Sequence, residues 1–259
     1  MTKVETPHVL RTDDGPVRTL TLNRGERFNP LSSAMIATLQ AELDAVATNE
    51  AIRVVVLAAF GRGFCAGHDL KELRAHAGDA AWQRRLFDDC SQLMMTLTWI
   101  PQPVIARVHG IATAAGCQLV ATCDLAVASE AATFALPGVT VGLFCSTPAV
   151  AVARNIGWKR AMELLLTGQP TDARTAQAWG LVNRVVPAEA LDAEVRRFTD
   201  LIVAHSAATI ALGKRTFYRQ IGESLEAAYG VASEAMACNM GYEDAAAGID
   251  AFLGRRRAD

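Results

Sequence analysis

The chain has 259 residues, 51% hydrophobic and 20% charged, so it can bury a large core and is not a disordered segment. A formal net charge of −2, with no basic stretch interleaved with aromatics, excludes an electrostatic nucleic-acid binder. No apolar stretch reaches membrane-spanning length, and "MTKVETPHVLRTDDG" lacks the apolar centre of a signal peptide. The six cysteines form no CxxC pair and sit mostly among small apolar residues. A cytoplasmic protein with reduced, buried thiols and no membrane contact is therefore expected.

"VRTLTLNR" (17–24) alternates apolar and polar residues and predicts a strand. "SSAMIATLQAELDAVAT" opens on a serine N-cap and sets Met35, Leu39 and Leu43 on one face beside Val46, an amphipathic helix. The β-branched run "RVVVLAA" (53–59) predicts a buried strand. Residues 60–68 then form a loop, and Asp69 is placed to cap a helix over "LKELRAH". A longer helix covers "AAWQRRLFDDCSQLMMTLTWI".

"PQPVIARVHG" restarts the chain as a strand, and the alanine-rich "TAAGCQLVATC" predicts a short buried helix. "DLAVAS" is a strand, "TFALPGVTVGL" a strand running into an irregular loop, and "TPAVAVARNIG" a helix. After "GLVNRVV" (180–186) only helical patterns follow, and "GRRRAD" reads as a solvated cationic helix end. The expected architecture is α/β: a strand-rich core over 1–187 and a helical module over 188–259.

The spacing Gly61-x-Gly63-x-x-x-Gly67 misses the dinucleotide fingerprint by one position, and a helical stretch stands where its second strand belongs. No HExxH or Cys/His spacing occurs, so no metal site is expected from His68, Asp69 or His109. "FCST" (144–147) lacks the glycines of a nucleophile elbow, and Cys145 reads as a packed thiol. What remains is "CAGHDL" and "ATAAGCQL", each placing small residues directly before a helix start. Small side chains leave backbone N–H groups accessible, and two such groups can converge on one oxygen as an oxyanion hole. The same residues also permit tight helix–strand packing, so both readings stand.

Further motifs occur in order along the chain: "LTLNRGERFNPLSSAM", "RVVVLAAFGRGFCAGHDLKEL", "PQPVIARVHGIATAAGCQLVATCDLAVAS", "FALPGVTVGL", "AMELLLTGQPTDARTAQAWGLVNRVV" and "EDAAAGIDAFLGRR". Through them the chain resembles the crotonase (enoyl-CoA hydratase/isomerase) superfamily over almost its whole length. The resemblance implies a spiral of ββα units, a helical C-terminal trimerisation module, and homotrimers or homohexamers. It implies an acyl-CoA thioester as ligand, with coenzyme A arriving as part of the substrate and no separate cofactor. Matched by motif, the oxyanion donors are the backbone N–H groups of His68 and Ala115. Coenzyme A contacts fall on Arg24, Arg27, Cys65, Ala66, Gly67, Asp69, Leu70, Gly116 and Lys214, with Arg27 and Lys214 as cations for phosphates.

Hydratases of this superfamily use two glutamates, and here their positions hold Gln118 and Gly138. An amide cannot accept and return a proton at neutral pH, and glycine has no side chain. Three outcomes follow. Lyase or isomerase chemistry on an enolate can draw its proton-transfer group from Glu72, Asp124, Glu130 or the His68 ring. Glu72 also reads as a solvated helix residue and Asp124 as a hydrogen-bonding group at a strand start. Decarboxylation of a malonyl-type thioester makes the enolate without a base. An acyl-CoA-binding protein with little turnover needs neither.

Overall fold

The computed structural model describes residues 6–255; the remaining residues, including most of the cationic end, lie outside the described part. The chain begins with β1 (Val9–Asp14), β2 (Val17–Leu22), α1 (Ser33–Ala47), β3 (Val54–Ala59), β4 (Gly63–Cys65), α2 (Leu70–Ala75) and α3 (Ala80–Trp99). It continues through β5 (Val104–Val108), β6 (Ile111–Thr113), α4 (Ala115–Thr122), β7 (Leu125–Ser129) and β8 (Thr133–Ala135). A 3-10 turn, Pro137–Val141, leads to α5 (Ser146–Ile156), α6 (Trp158–Thr167), β9 (Thr171–Asp172), α7 (Ala173–Trp179) and β10 (Arg184–Val186). Beyond β10 the described chain is helical: α8 (Leu191–Val203), α9 (Ala207–Gln220), α10 (Leu225–Met240) and α11 (Glu243–Arg255).

The strands form two sheets, of order β1-β2-β3-β5-β7-β10 and β4-β6-β8-β9. The pairs β3/β4, β5/β6 and β7/β8 each send one strand to either sheet, and the strands of each triplet pair in parallel. This is the expected spiral of ββα units. Its consequence for function is geometric. The carboxyl ends of β4, β6 and β8 lie side by side, so residues 66–68, 114–115 and 136–138 emerge together from one sheet edge.

The longer predicted elements are present, with Ser32 capping α1 and Asp69 capping α2 through their side-chain oxygens. All six residues of β3 are buried because helices and the second sheet cover one face and α8 the other. The strands that were not anticipated, β1, β4, β6, β9 and β10, are either polar on most positions or only two or three residues long. Such strands carry too few residues for a period of two to register.

The C-terminal helices are tied to the spiral by one buried ion pair. Lys214 on α9 donates to Asp124 Oδ2 at 2.7 Å and to the carbonyls of Leu97 at 2.8 Å and Gln102 at 2.9 Å. Its side chain is only 6% exposed. Asp124 also accepts from Tyr218 Oη and from the Val104 N–H that opens β5. This corrects the phosphate-binding expectation for Lys214: all its N–H donors are engaged inside the fold. Asp124, likewise, is the strand-start group the sequence suggested and not a base at a cavity. Removing one partner of a buried pair leaves the other charge uncompensated. Lys214→Met should therefore lower the unfolding free energy by about 3–5 kcal/mol, measured by urea denaturation.

Candidate active site

The site is built from two peptide planes. In a trans peptide the C=O and the following N–H point in opposite directions, so fixing one fixes the other. Gly67 C=O accepts from the Leu31 N–H at 2.8 Å, which turns the His68 N–H the other way. Ala114 C=O accepts from the Gln118 N–H at 3.0 Å, the first bond of α4, so the Ala115 N–H projects off the helix N-terminus. Among the described residues neither N–H has an acceptor, and both residues line one cavity of about 390 Å³.

Glycine lets the two segments meet. Gly67 sits at φ +88°, and a Cβ there would lie 2.9 Å from Ala114 Cβ and 3.1 Å from the Ala115 nitrogen. A Cβ on Gly116 would run into the Cys65 carbonyl, so α4 packs its first turn directly onto the end of β4. Cys65 is fully buried beneath this contact, and burial pushes its thiol up to about 12. Ala66 and Leu70 line the cavity, while Asp69 is engaged in capping α2.

Ala115 opens the helix in ordinary helical conformation, as an alanine can. The strained residue is its neighbour, Ala114, at φ +50° and ψ −120°. That region is open to glycine and costly for a Cβ-bearing residue. The strain is held in place by the Ala114 N–H, which donates to Ala135 C=O at 2.9 Å across the β6/β8 edge.

One positioning residue was not anticipated. Asn29 is fully buried, and its amide donates to the carbonyls of Phe60, Gly63 and Phe64 at 2.8, 3.0 and 3.1 Å. Its Oδ1 accepts from the Arg24 N–H at 2.7 Å, so it clamps the 24–29 loop against the loop that leads into β4. The signal in the sequence is the turn-forming Asn29-Pro30 dipeptide after Phe28; both Phe28 and Asn29 have positive φ.

Of the four candidate proton-transfer groups, only the His68 ring lines the cavity. Glu72 receives the Ser33 N–H at 2.9 Å and the Ser33 hydroxyl; it caps α1 and is not a freely solvated residue. Glu130 pairs with Arg174 on the surface, and Asp124 holds Lys214. The His68 ring packs edge-on against Phe87 at 5.2 Å, and its buried Nε2 has no partner among the described residues. Burial pulls its pKa down to about 4, with Glu72 opposing weakly, so the ring is neutral at pH 7.

Arg24 and Arg27 lie off the cavity. The Arg24 guanidinium donates to the carbonyls of Thr6, Pro7 and Asn23. Arg27 is exposed and has no partner among the described residues. Those residues hold no cluster of His, Cys, Asp or Glu suited to a metal ion. They also hold no helix long and apolar enough to cross a membrane.

A family model described as enoyl-CoA hydratase/isomerase matches residues 13–259. The mitochondrial enoyl-CoA hydratase domain-containing protein 3 of Rattus norvegicus is 45% identical over 247 residues, 95% of this chain and 82% of that protein. The chain belongs to the enoyl-CoA hydratase/isomerase family. A crystal structure of enoyl-CoA hydratase from Mycobacterium smegmatis matches with TM-score 0.95 and 52% identity, covering 96% of this chain and 97% of the other. That of human enoyl coenzyme A hydratase domain-containing protein 3 gives TM-score 0.92 and 43% identity, covering 96% and 98%. The crotonase fold is thereby established for this chain.

The two positions matched to the hydratase glutamates are structurally unlike. Gln118 is buried at 4% exposure one turn along α4, off the cavity wall, and its Oε1 has no partner among the described residues. Gly138 lines the cavity, but a Cβ there would lie 2.8 Å from Leu143 O and 2.9 Å from Cys145 Sγ. The thiol fills the space where a side chain would begin. Burial raises the pKa of Cys145, so the thiol is protonated and packed, as its sequence context suggested.

Ala114→Gly relieves the strained φ at the cost of a more flexible unfolded chain, and should raise stability by about 1 kcal/mol in denaturant titration. The His68 ring resists protonation when folded, down to about pH 4, but accepts a proton near its ordinary 6.5 when unfolded. The unfolded state therefore binds the extra proton, and stability falls as pH drops through that window while staying flat above it. Wild type should lose up to about 3 kcal/mol more than His68→Gln between pH 7 and pH 4 in urea unfolding series.

Proposed function

We propose that the cavity binds an acyl-CoA thioester with its carbonyl oxygen between the His68 and Ala115 N–H groups, where an enolate is stabilised. The observation that carries this reading is the pair of unengaged N–H groups whose directions are fixed by Leu31 and by the first bond of α4. Two preorganised donors need no rearrangement when negative charge develops on the oxygen, which is what makes such a hole effective. Coenzyme A enters as part of the substrate, and no further cofactor is proposed. Arg27, exposed and unpaired among the described residues, is the proposed contact for the phosphates.

Hydration requires one group to activate water and another to protonate carbon. With Gln118 off the cavity wall and Gly138 without a side chain, the His68 ring is the only one of the candidate bases at the wall. We therefore propose proton transfer limited to His68 and slow hydration. A homotrimer or homohexamer is also proposed. Its support is the apolar surface of the C-terminal helices, where Ile221, Leu225, Tyr229, Met236 and Phe252 are all at least 60% exposed. The cytoplasm remains the proposed compartment, supported by six free cysteines.

Ala115→Pro deletes one donor at a helix position that accepts proline. In protein whose circular dichroism is unchanged, any turnover of a thioester should fall by about 100-fold or more, and unchanged turnover would remove Ala115 from the role. Wild-type protein should bind crotonyl-CoA while hydrating it far more slowly than a two-glutamate relative, followed by loss of enoyl absorbance.

A further inference from the structure

We infer that the cavity selects uncharged acyl groups and turns away acyl groups that carry a carboxylate; this rests on reading the cavity as the thioester site. Among the described residues its lining contains no Asp, Glu, Lys or Arg. The wall is formed by Leu70, Leu73, Phe87, Val141, Leu143 and Phe144, which come from α2, α3 and the segment after β8. The one imidazole in the wall is neutral at pH 7 and offers no counter-charge.

The polar groups present are few and mostly committed. The Thr140 hydroxyl donates to Pro137 O at 2.7 Å, and the Ser146 hydroxyl to Phe144 O at 3.4 Å. Thr147 adds one neutral hydroxyl, and Cys145 a protonated thiol. The favourable field at the N-terminus of α4 and its oxyanion donors are taken by the thioester oxygen, so a second anion receives neither. A carboxylate moved from water into such a wall loses its hydration without gaining a cation; the N-terminus of α5 offers it only the Thr147 N–H and hydroxyl, since the Ser146 N–H bonds Phe144 O and Pro148 has none. Discrimination then arises from the missing partner, while apolar chains gain from burial against the same side chains.

The same wall bears on decarboxylation, since a malonyl-type group places its carboxylate on the carbon next to the thioester. Without a cation to hold that carboxylate, the ground-state complex does not form well.

Matched ligands test the selectivity by isothermal titration calorimetry: butanoyl-CoA against ethylmalonyl-CoA, hexanoyl-CoA against adipoyl-CoA, and free coenzyme A. Each carboxylated member should bind at least about tenfold more weakly than its uncharged match. Equal or tighter binding of the carboxylated member overturns the selectivity while leaving the thioester reading intact. If no thioester binds more tightly than free coenzyme A, the thioester reading itself fails. Leu143→Arg, at a half-exposed position on the wall, should bring adipoyl-CoA to within about threefold of hexanoyl-CoA. An unchanged ratio in the folded variant overturns the missing-cation explanation.

Discussion

A carbonyl oxygen held by one hydrogen bond decides where this site points. Leu31 N–H on Gly67 C=O fixes the plane that carries the His68 N–H, and no side chain of the site takes part in that bond. Everything upstream serves to bring Leu31 and Gly67 together. Asn29 clamps the loop before Leu31 onto the loop before β4, and the Phe28 carbonyl accepts the Ala66 N–H at 2.9 Å. Glu72 caps α1 through Ser33, two residues beyond Leu31, so the helix after the site also anchors the segment that orients it. The second plane, Ala114–Ala115, is held by α4 itself and by the β6/β8 edge.

Such an arrangement requires close backbone approach, and its cost is visible in the backbone. Gly67 and Gly116 stand where any Cβ would collide with the opposing segment. Ala114 carries a methyl group in a conformation that favours glycine, and that methyl would lie 2.9 Å from any Cβ placed on Gly67. Strain of this kind persists only where surrounding bonds over-determine the geometry. Here the over-determination comes from the parallel pairing of β4, β6 and β8, which the ββα spiral imposes on three separate stretches of chain.

Much of this was legible in the residues. The runs "RVVVLAA" and "DLAVAS", the serine and aspartate caps, and the two small-residue segments before helix starts announced β3, β7, α1, α2 and the start of α4. The role of Asn29 was not legible, because its partners are carbonyls 31 to 35 residues away and any residue type can supply a carbonyl. Lys214 misled for a related reason. A lysine's usual place is the surface, and nothing local to α9 reveals that Asp124 and two carbonyls wait behind it. The strain at Ala114 was not legible either, since Ala114 and Ala115 are the same letter in different conformations.

Backbone and side-chain functions separate cleanly in this chain. The donors depend on conformation, so they tolerate alanine at 115 and would tolerate many residues at 68. Acid–base chemistry depends on side chains, and at Gly138 the surroundings leave no room for one. The Leu143 N–H closes onto Gly138 C=O at 2.9 Å, and Cys145 Sγ lies 2.9 Å from where the first side-chain carbon would stand. The loop therefore closes tightly beside Gly138, and Val141, Leu143, Phe144 and Cys145 line the wall there. A wall shaped this way sets two fixed N–H groups beside a segment that holds no carboxylate. That arrangement follows from one glycine, the thiol packed against it and two pinned peptide planes.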